Sequence, residues 1–214
     1  MLLYKILRPI MWFFYKLLLR VKVFNRKGVI TNEKSIVICN HLGKADVCVV
    51  SELYKNEVHY LAKVEWFKHK FPAWVLRSFG VIPIDRDNPS ISSIREALKV
   101  LKEGKTLGIF PEGTRNKKDT TIQPFKSGVA MFAIKGQAKI VPIVLQDRVK
   151  LFKTNYAIVG EPIDLSQFYG QKYTEEIANE ATQIIYNKMI QLQNEVNEKV
   201  RQIKTKKGKK WKYI

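Results

Sequence analysis

A chain of 214 residues with 46% apolar and 11% aromatic residues is long enough to bury one continuous core and too short for two independent enzyme domains; disordered, collagen-like and low-complexity architectures are excluded. Its 38 Lys and Arg against 19 Asp and Glu leave a net charge of +19, so polyanions are its natural partners. Two cysteines, Cys39 and Cys48, cannot build a disulfide framework and lack the spacing of a zinc or redox pair, which points to a reducing, intracellular setting.

The charge is concentrated at the ends. Residues 1–30 carry seven basic and no acidic side chains, and residues 201–214 another seven with no acid, so residues 31–200 are left with only +5. Within residues 1–24, Lys5, Arg8, Lys16, Arg20 and Lys22 interrupt every apolar run, and a bilayer span, which needs roughly 20 consecutive apolar residues, does not fit. On a helix, Lys5, Arg8, Lys16 and Arg20 share one side and Leu3, Ile6, Leu7, Ile10, Phe13, Phe14, Leu17 and Leu18 the other. The pattern is a basic amphipathic helix, broken or kinked at Pro9. It can lie in a membrane interface or pack on its own domain. A secretory signal is disfavoured, because charges recur through the apolar stretch and no small-residue cleavage site follows.

Short runs rich in Val and Ile at 35–39, 58–62, 81–84, 106–110, 140–145 and 157–159 predict buried strands. Helical stretches are expected at 45–54, 66–79, 90–103 and 128–135, and a C-terminal helix at 174–203. Alternating strands and helices imply a single α/β domain with a mostly parallel central sheet flanked by helices, preceded by the amphipathic element. The expected division is 1–30 as the membrane-surface element, 31–203 as the domain and 204–214 as a basic aromatic tail. Trp211 and Tyr213 among the tail's lysines suit an anionic lipid interface, a solvated end or nucleic acid.

In a parallel sheet the carboxyl ends of the strands converge on one edge, where α/β folds build their sites. Three polar clusters follow strands. In Asn40-His41-Leu42-Gly43-Lys44-Ala45-Asp46, Asp46 can hold one ring nitrogen of His41 and leave the other as a base. That is two-thirds of a serine-hydrolase triad, with a substrate alcohol in place of the serine; helix capping is the structural alternative. Gly80–Arg86 delivers Asp85 and Arg86, and Phe110-Pro-Glu-Gly-Thr-Arg115 follows the next strand. Arg86, Arg115 and Lys63 would put cations at the same edge, suited to a phosphate. Acyl transfer to a phosphate-bearing alcohol fits all three clusters.

In order and spacing, Asn40-His41-x4-Asp46, Gly80–Arg86, Phe110–Arg115 and Ile140-Val-Pro-Ile143 resemble the four motif blocks of the glycerolipid acyltransferases, most of all the bacterial 1-acyl-sn-glycerol-3-phosphate (lysophosphatidic acid) branch. The resemblance covers roughly residues 35–145. It implies transfer of a fatty acyl chain from acyl-CoA or acyl carrier protein, as co-substrate, to the sn-2 hydroxyl of lysophosphatidic acid. His41 is then the general base and Asp46 its orienter. Lys63, Arg86 and Arg115 hold the glycerol phosphate, Glu112, Gly113 and Thr114 shape the acceptor site, and Val141-Pro142 support it beside the thioester. It further implies a peripheral or monotopic protein on the cytoplasmic face of an anionic membrane, with no metal, no tightly held cofactor and no nucleic-acid partner. Nucleic-acid binding alone would explain the charge and leave both motifs idle. A serine hydrolase lacks Gly-x-Ser-x-Gly, and Gly104-Lys105-Thr106 lacks the earlier P-loop glycine, with Lys99 in its place.

Overall fold

The computed structural model describes residues 9–10, 13, 15–28, 33–54, 57–85 and 87–210. Among these, the strands β1 (Val21–Phe24), β2 (Ser35–Cys39), β3 (Val58–Lys63), β4 (Ile82–Ile84), β5 (Thr106–Ile109), β6 (Lys139–Leu145) and β7 (Asn155–Val159) form one sheet in the order β1-β7-β6-β2-β5-β3-β4. Every adjacent pair is parallel except β6 with β7. The helices are α1 (Asp46–Leu53), α2 (Lys70–Ser78), α3 (Ile91–Lys102), α4 (Gly128–Gly136) and α5 (Glu175–Lys210). The expected mostly parallel α/β domain is therefore observed.

Side-chain alternation along the strands builds two apolar layers. Ile36 and Ile38 of β2 face the cluster shared with α3, α4 and α5, whereas Val37 and Cys39 face the cluster shared with α1. Helix α5 commits Ala181, Ile185, Met189, Leu192, Val196 and Val200 to the first layer, an alternation of three- and four-residue steps that keeps one face on the sheet. Helix α3 starts where expected, with the Ser90 hydroxyl accepting from the Ser93 amide at 3.2 Å.

Three elements differ from the sequence expectation. The amphipathic pattern predicts helix through residue 24, but helix ends at Leu19, Arg20 takes a left-handed backbone (φ 42°) and β1 begins at Val21. Residues 21–24 therefore belong to the sheet, paired with β7. The helix expected over 66–79 is split into a 3-10 turn, Val64–Phe67, and α2. Pro72 explains the split: without an amide proton it fits only the first helical turn, so an α-helix cannot run through it from Trp66. Finally, α5 continues to Lys210, so the first part of the basic tail is helical, with the described side chains beyond Val200 unburied.

Candidate active site

Because β2, β3, β4 and β5 are parallel, their carboxyl ends share one edge, and the predicted clusters collect there. The end of β2 is fixed by Asn40, whose buried side chain donates to Leu145 O at 3.0 Å and accepts from Leu145 N at 2.8 Å. The amide thus extends the β2–β6 ladder by one side-chain rung and sets where His41 leaves the sheet.

His41 Nδ1 lies 3.0 Å from Asp46 Oδ2. The same oxygen accepts from the amides of Leu42 and Gly43, each at 2.7 Å. Asp46 is fully buried at the first turn of α1, where two backbone donors and the positive end of the helix offset its removal from water. A carboxylate at Nδ1 fixes the imidazole tautomer with the proton on Nδ1 and leaves Nε2 with its lone pair. The ring stacks on Phe110 with centroids 4.1 Å apart, which restricts its rotation.

The loop after β5 clamps the backbone of His41 from both sides. Glu112 Oε1 accepts from His41 N at 2.8 Å, and Asn116 N donates to His41 O at 2.8 Å. Glu112 also accepts from Gln123 N at 3.3 Å. Burial pushes its carboxyl up to about 7, against the lowering effect of these two amides. Gly113 takes φ 71° as its amide closes a tight turn onto Phe110 O at 3.0 Å, a conformation that glycine adopts without strain.

A cavity of about 490 Å³ opens in front of His41. Lys63, Thr114 and Arg115 line it as the sequence predicts, and so do Lys44 and Lys117, which sequence reasoning did not single out. No carboxylate lines it, and these four cations form no ion pair among the described residues. The apolar walls include Tyr60, Leu61, Trp66 and Phe110. A second cavity of about 450 Å³ shares Leu61 and Phe110 with the first and is lined chiefly by apolar side chains, among them Ile84, Ile94, Ile109, Met131 and Phe132.

The other residues singled out in the sequence lie elsewhere. Glu112 turns inward to the backbone of His41 and lies off the wall of the cationic cavity, so it positions the histidine loop. Gly113 lines the second, apolar cavity. Val141 and Pro142 are held within β6 by pairing to β2, away from both cavity linings. Arg86 lies outside the described residues. Also among the described residues, no group of three or more His, Cys, Asp or Glu could hold a metal ion, and no helix is long and apolar enough to cross a membrane.

Residues 20–146 match the family model described as Acyltransferase. The chain belongs to this acyltransferase family. A 1-acyl-sn-glycerol-3-phosphate acyltransferase from Bacillus subtilis is 33% identical over 184 residues, covering 83% of this chain and 90% of that protein. One from Helicobacter pylori is 35% identical over 121 residues, 56% of this chain and 51% of that one. Among solved structures, the 1-acyl-sn-glycerophosphate acyltransferase PlsC from Thermotoga maritima superposes with a TM-score of 0.64 over 91% of this chain and 80% of that chain, at 22% identity, a likeness of fold.

The raised Glu112 carboxyl has a testable consequence. Between about pH 4.5, its ordinary value, and about pH 7 the folded protein holds a proton that the unfolded chain has lost, so this residue makes stability fall as pH rises through that window. Glu112→Gln removes the titration while losing one backbone acceptor. Urea unfolding should show the variant less stable than wild type at pH 5 and the gap narrowing by pH 8; a gap that widens would contradict the assignment.

Proposed function

We propose that this acyltransferase moves a fatty acyl chain from acyl-CoA or acyl carrier protein to the sn-2 hydroxyl of lysophosphatidic acid, giving phosphatidic acid. The observation that carries the reading is the His41–Asp46 pair opening into a cavity lined by Lys44, Lys63, Arg115 and Lys117 without a facing carboxylate. That the Bacillus and Helicobacter relatives are 1-acyl-sn-glycerol-3-phosphate acyltransferases agrees with it.

In this mechanism the cations hold the acceptor phosphate and bring its free hydroxyl to His41. Nε2 takes the hydroxyl proton as the oxygen attacks the thioester carbonyl carbon, and Asp46 stabilises the imidazolium that forms. The tetrahedral intermediate collapses with cleavage of the C–S bond, and the imidazolium returns the proton to the departing thiolate. The ester is formed, the thiol is released and His41 is restored. The apolar second cavity, which shares Leu61 and Phe110 with the first, suits an acyl chain.

The reading places the enzyme peripherally on the cytoplasmic face of an anionic membrane. Its support is the exposed stripe Ile10, Phe13 and Leu17, at helical spacing of three and four residues, together with the basic charge of the segment. No metal, tightly held cofactor or nucleic acid has a part in it.

The test is an acceptor comparison on mixed vesicles. Lysophosphatidic acid should be acylated with a kcat/KM at least ~100-fold above that of monoacylglycerol, which lacks the phosphate, and Arg115→Ala should raise the KM for lysophosphatidic acid roughly tenfold or more. Equal use of both acceptors would remove the phosphate site from the account.

A further inference from the structure

We infer that residues 64–78, the 3-10 turn and α2, form a second membrane contact at the mouth of the catalytic cavity, seating Phe71 and Trp74 in the interface of an anionic leaflet. The inference rests on the membrane setting of the proposed function and adds a contact surface to it.

The segment is built against the usual pattern of a surface helix. Val64-Glu-Trp-Phe67 and Lys70-Phe-Pro-Ala-Trp-Val-Leu-Arg-Ser78 are rich in large apolar side chains, yet neither element buries a single residue. Phe71 and Trp74, one helical turn apart, are 74% and 58% exposed and stack with centroids 6.3 Å apart. A soluble monomer gains nothing from holding two such rings in water. Ten large apolar side chains are exposed among the described residues; nine of them fall in the helical stripe Ile10, Phe13 and Leu17, in residues 64–74, or at Leu151 and Phe152. The loop carrying the last pair is tied to the N-terminal helix by Phe152 N donating to Leu18 O at 2.6 Å.

The surrounding charge identifies the occupant. Lys63, Lys68, Lys70 and Arg77 stand against one acid, Glu65, and Arg77 lies over the Phe67 ring at 5.5 Å. Aromatic rings beside Lys and Arg suit the headgroup level of an anionic bilayer. Continuity with the site gives the contact a purpose. Trp66 and Leu76 of this same segment line the cavity that holds His41, so an insoluble lysolipid can pass from the leaflet along Trp66 without crossing water.

Vesicles of equal parts phosphatidylglycerol and phosphatidylcholine test the contact with the full chain. Phe71→Ser combined with Trp74→Ser should lower partitioning on the order of tenfold, with the thermal unfolding transition retained. In a variant with Trp12→Phe, Trp66→Phe and Trp211→Phe, the remaining Trp74 should be quenched by lipids brominated on their acyl chains. Unchanged partitioning with unquenched Trp74 would overturn the inference. So would unchanged partitioning with turnover lost only when acyl carrier protein is the donor, which would make the patch a dock for an acidic protein. Partitioning and quenching are free of catalysis, so a protein that binds through Phe71 and Trp74 but forms no phosphatidic acid would sink the proposed function and leave this contact standing.

Discussion

Replacing His41 with alanine is expected to lower kcat by roughly 10²- to 10⁴-fold, the range that a positioned base contributes, while leaving the fold and vesicle binding unchanged. The fold is spared because the His41 contacts that hold the loop are made by its backbone, to Glu112 and Asn116. The side chain adds the bond to Asp46 and the stack on Phe110. The loss should therefore fall on kcat rather than on the KM for the lysolipid, since the cations proposed to hold the acceptor phosphate are untouched. Steady-state kinetics with circular dichroism of the same preparation checks this, and full turnover in the variant would remove His41 from the chemistry.

Asp46→Asn is expected to cost a comparable factor, roughly 10²- to 10⁴-fold in kcat, with an added loss of stability of about 1–3 kcal/mol. Asp46 Oδ2 receives three donors, from His41, Leu42 and Gly43. If the new amide places its oxygen there, those bonds survive but the charge that supports the imidazolium is gone. If it places its nitrogen there, donors face donors in a fully buried spot. The variant should thus show reduced kcat even under conditions where it is fully folded; a variant that is destabilised but catalytically intact would make Asp46 a structural cap only.

The sheet was legible from short Val- and Ile-rich runs because parallel strands buried on both faces need apolar residues at successive positions, as in Ile36–Cys39 and Ile140–Leu145. Strand β1 escaped because it is a four-residue edge strand whose Val-Lys-Val-Phe sits among cations and buries no residue fully, so its pattern merges with the amphipathic run before it. The left-handed turn at Arg20 that separates the two is tied to the distant Asn155, whose amide donates to Arg20 O at 3.3 Å. At the site, the His-x4-Asp spacing made the pair legible, because five residues across a tight turn into α1 bring Asp46 Oδ2 within reach of both the His41 ring and the Leu42 and Gly43 amides. The direction of Glu112 was illegible, since a motif fixes sequence spacing and not which way a loop carboxylate turns. Lys44 and Lys117 read as ordinary surface cations and acquire meaning only when the loops after β2 and β5 close around one cavity.

The central claim is that His41 activates the hydroxyl of a phosphate-bearing lysolipid for attack on an acyl thioester. Radiolabelled lysophosphatidic acid in anionic vesicles, with acyl-CoA or acyl carrier protein as donor, tests it directly when wild type and His41→Ala are run side by side. Labelled phosphatidic acid from the wild type, with the variant folded, vesicle-bound and at least ~100-fold slower, is the predicted result. Product formed equally by both proteins, or by neither with either donor, would contradict it.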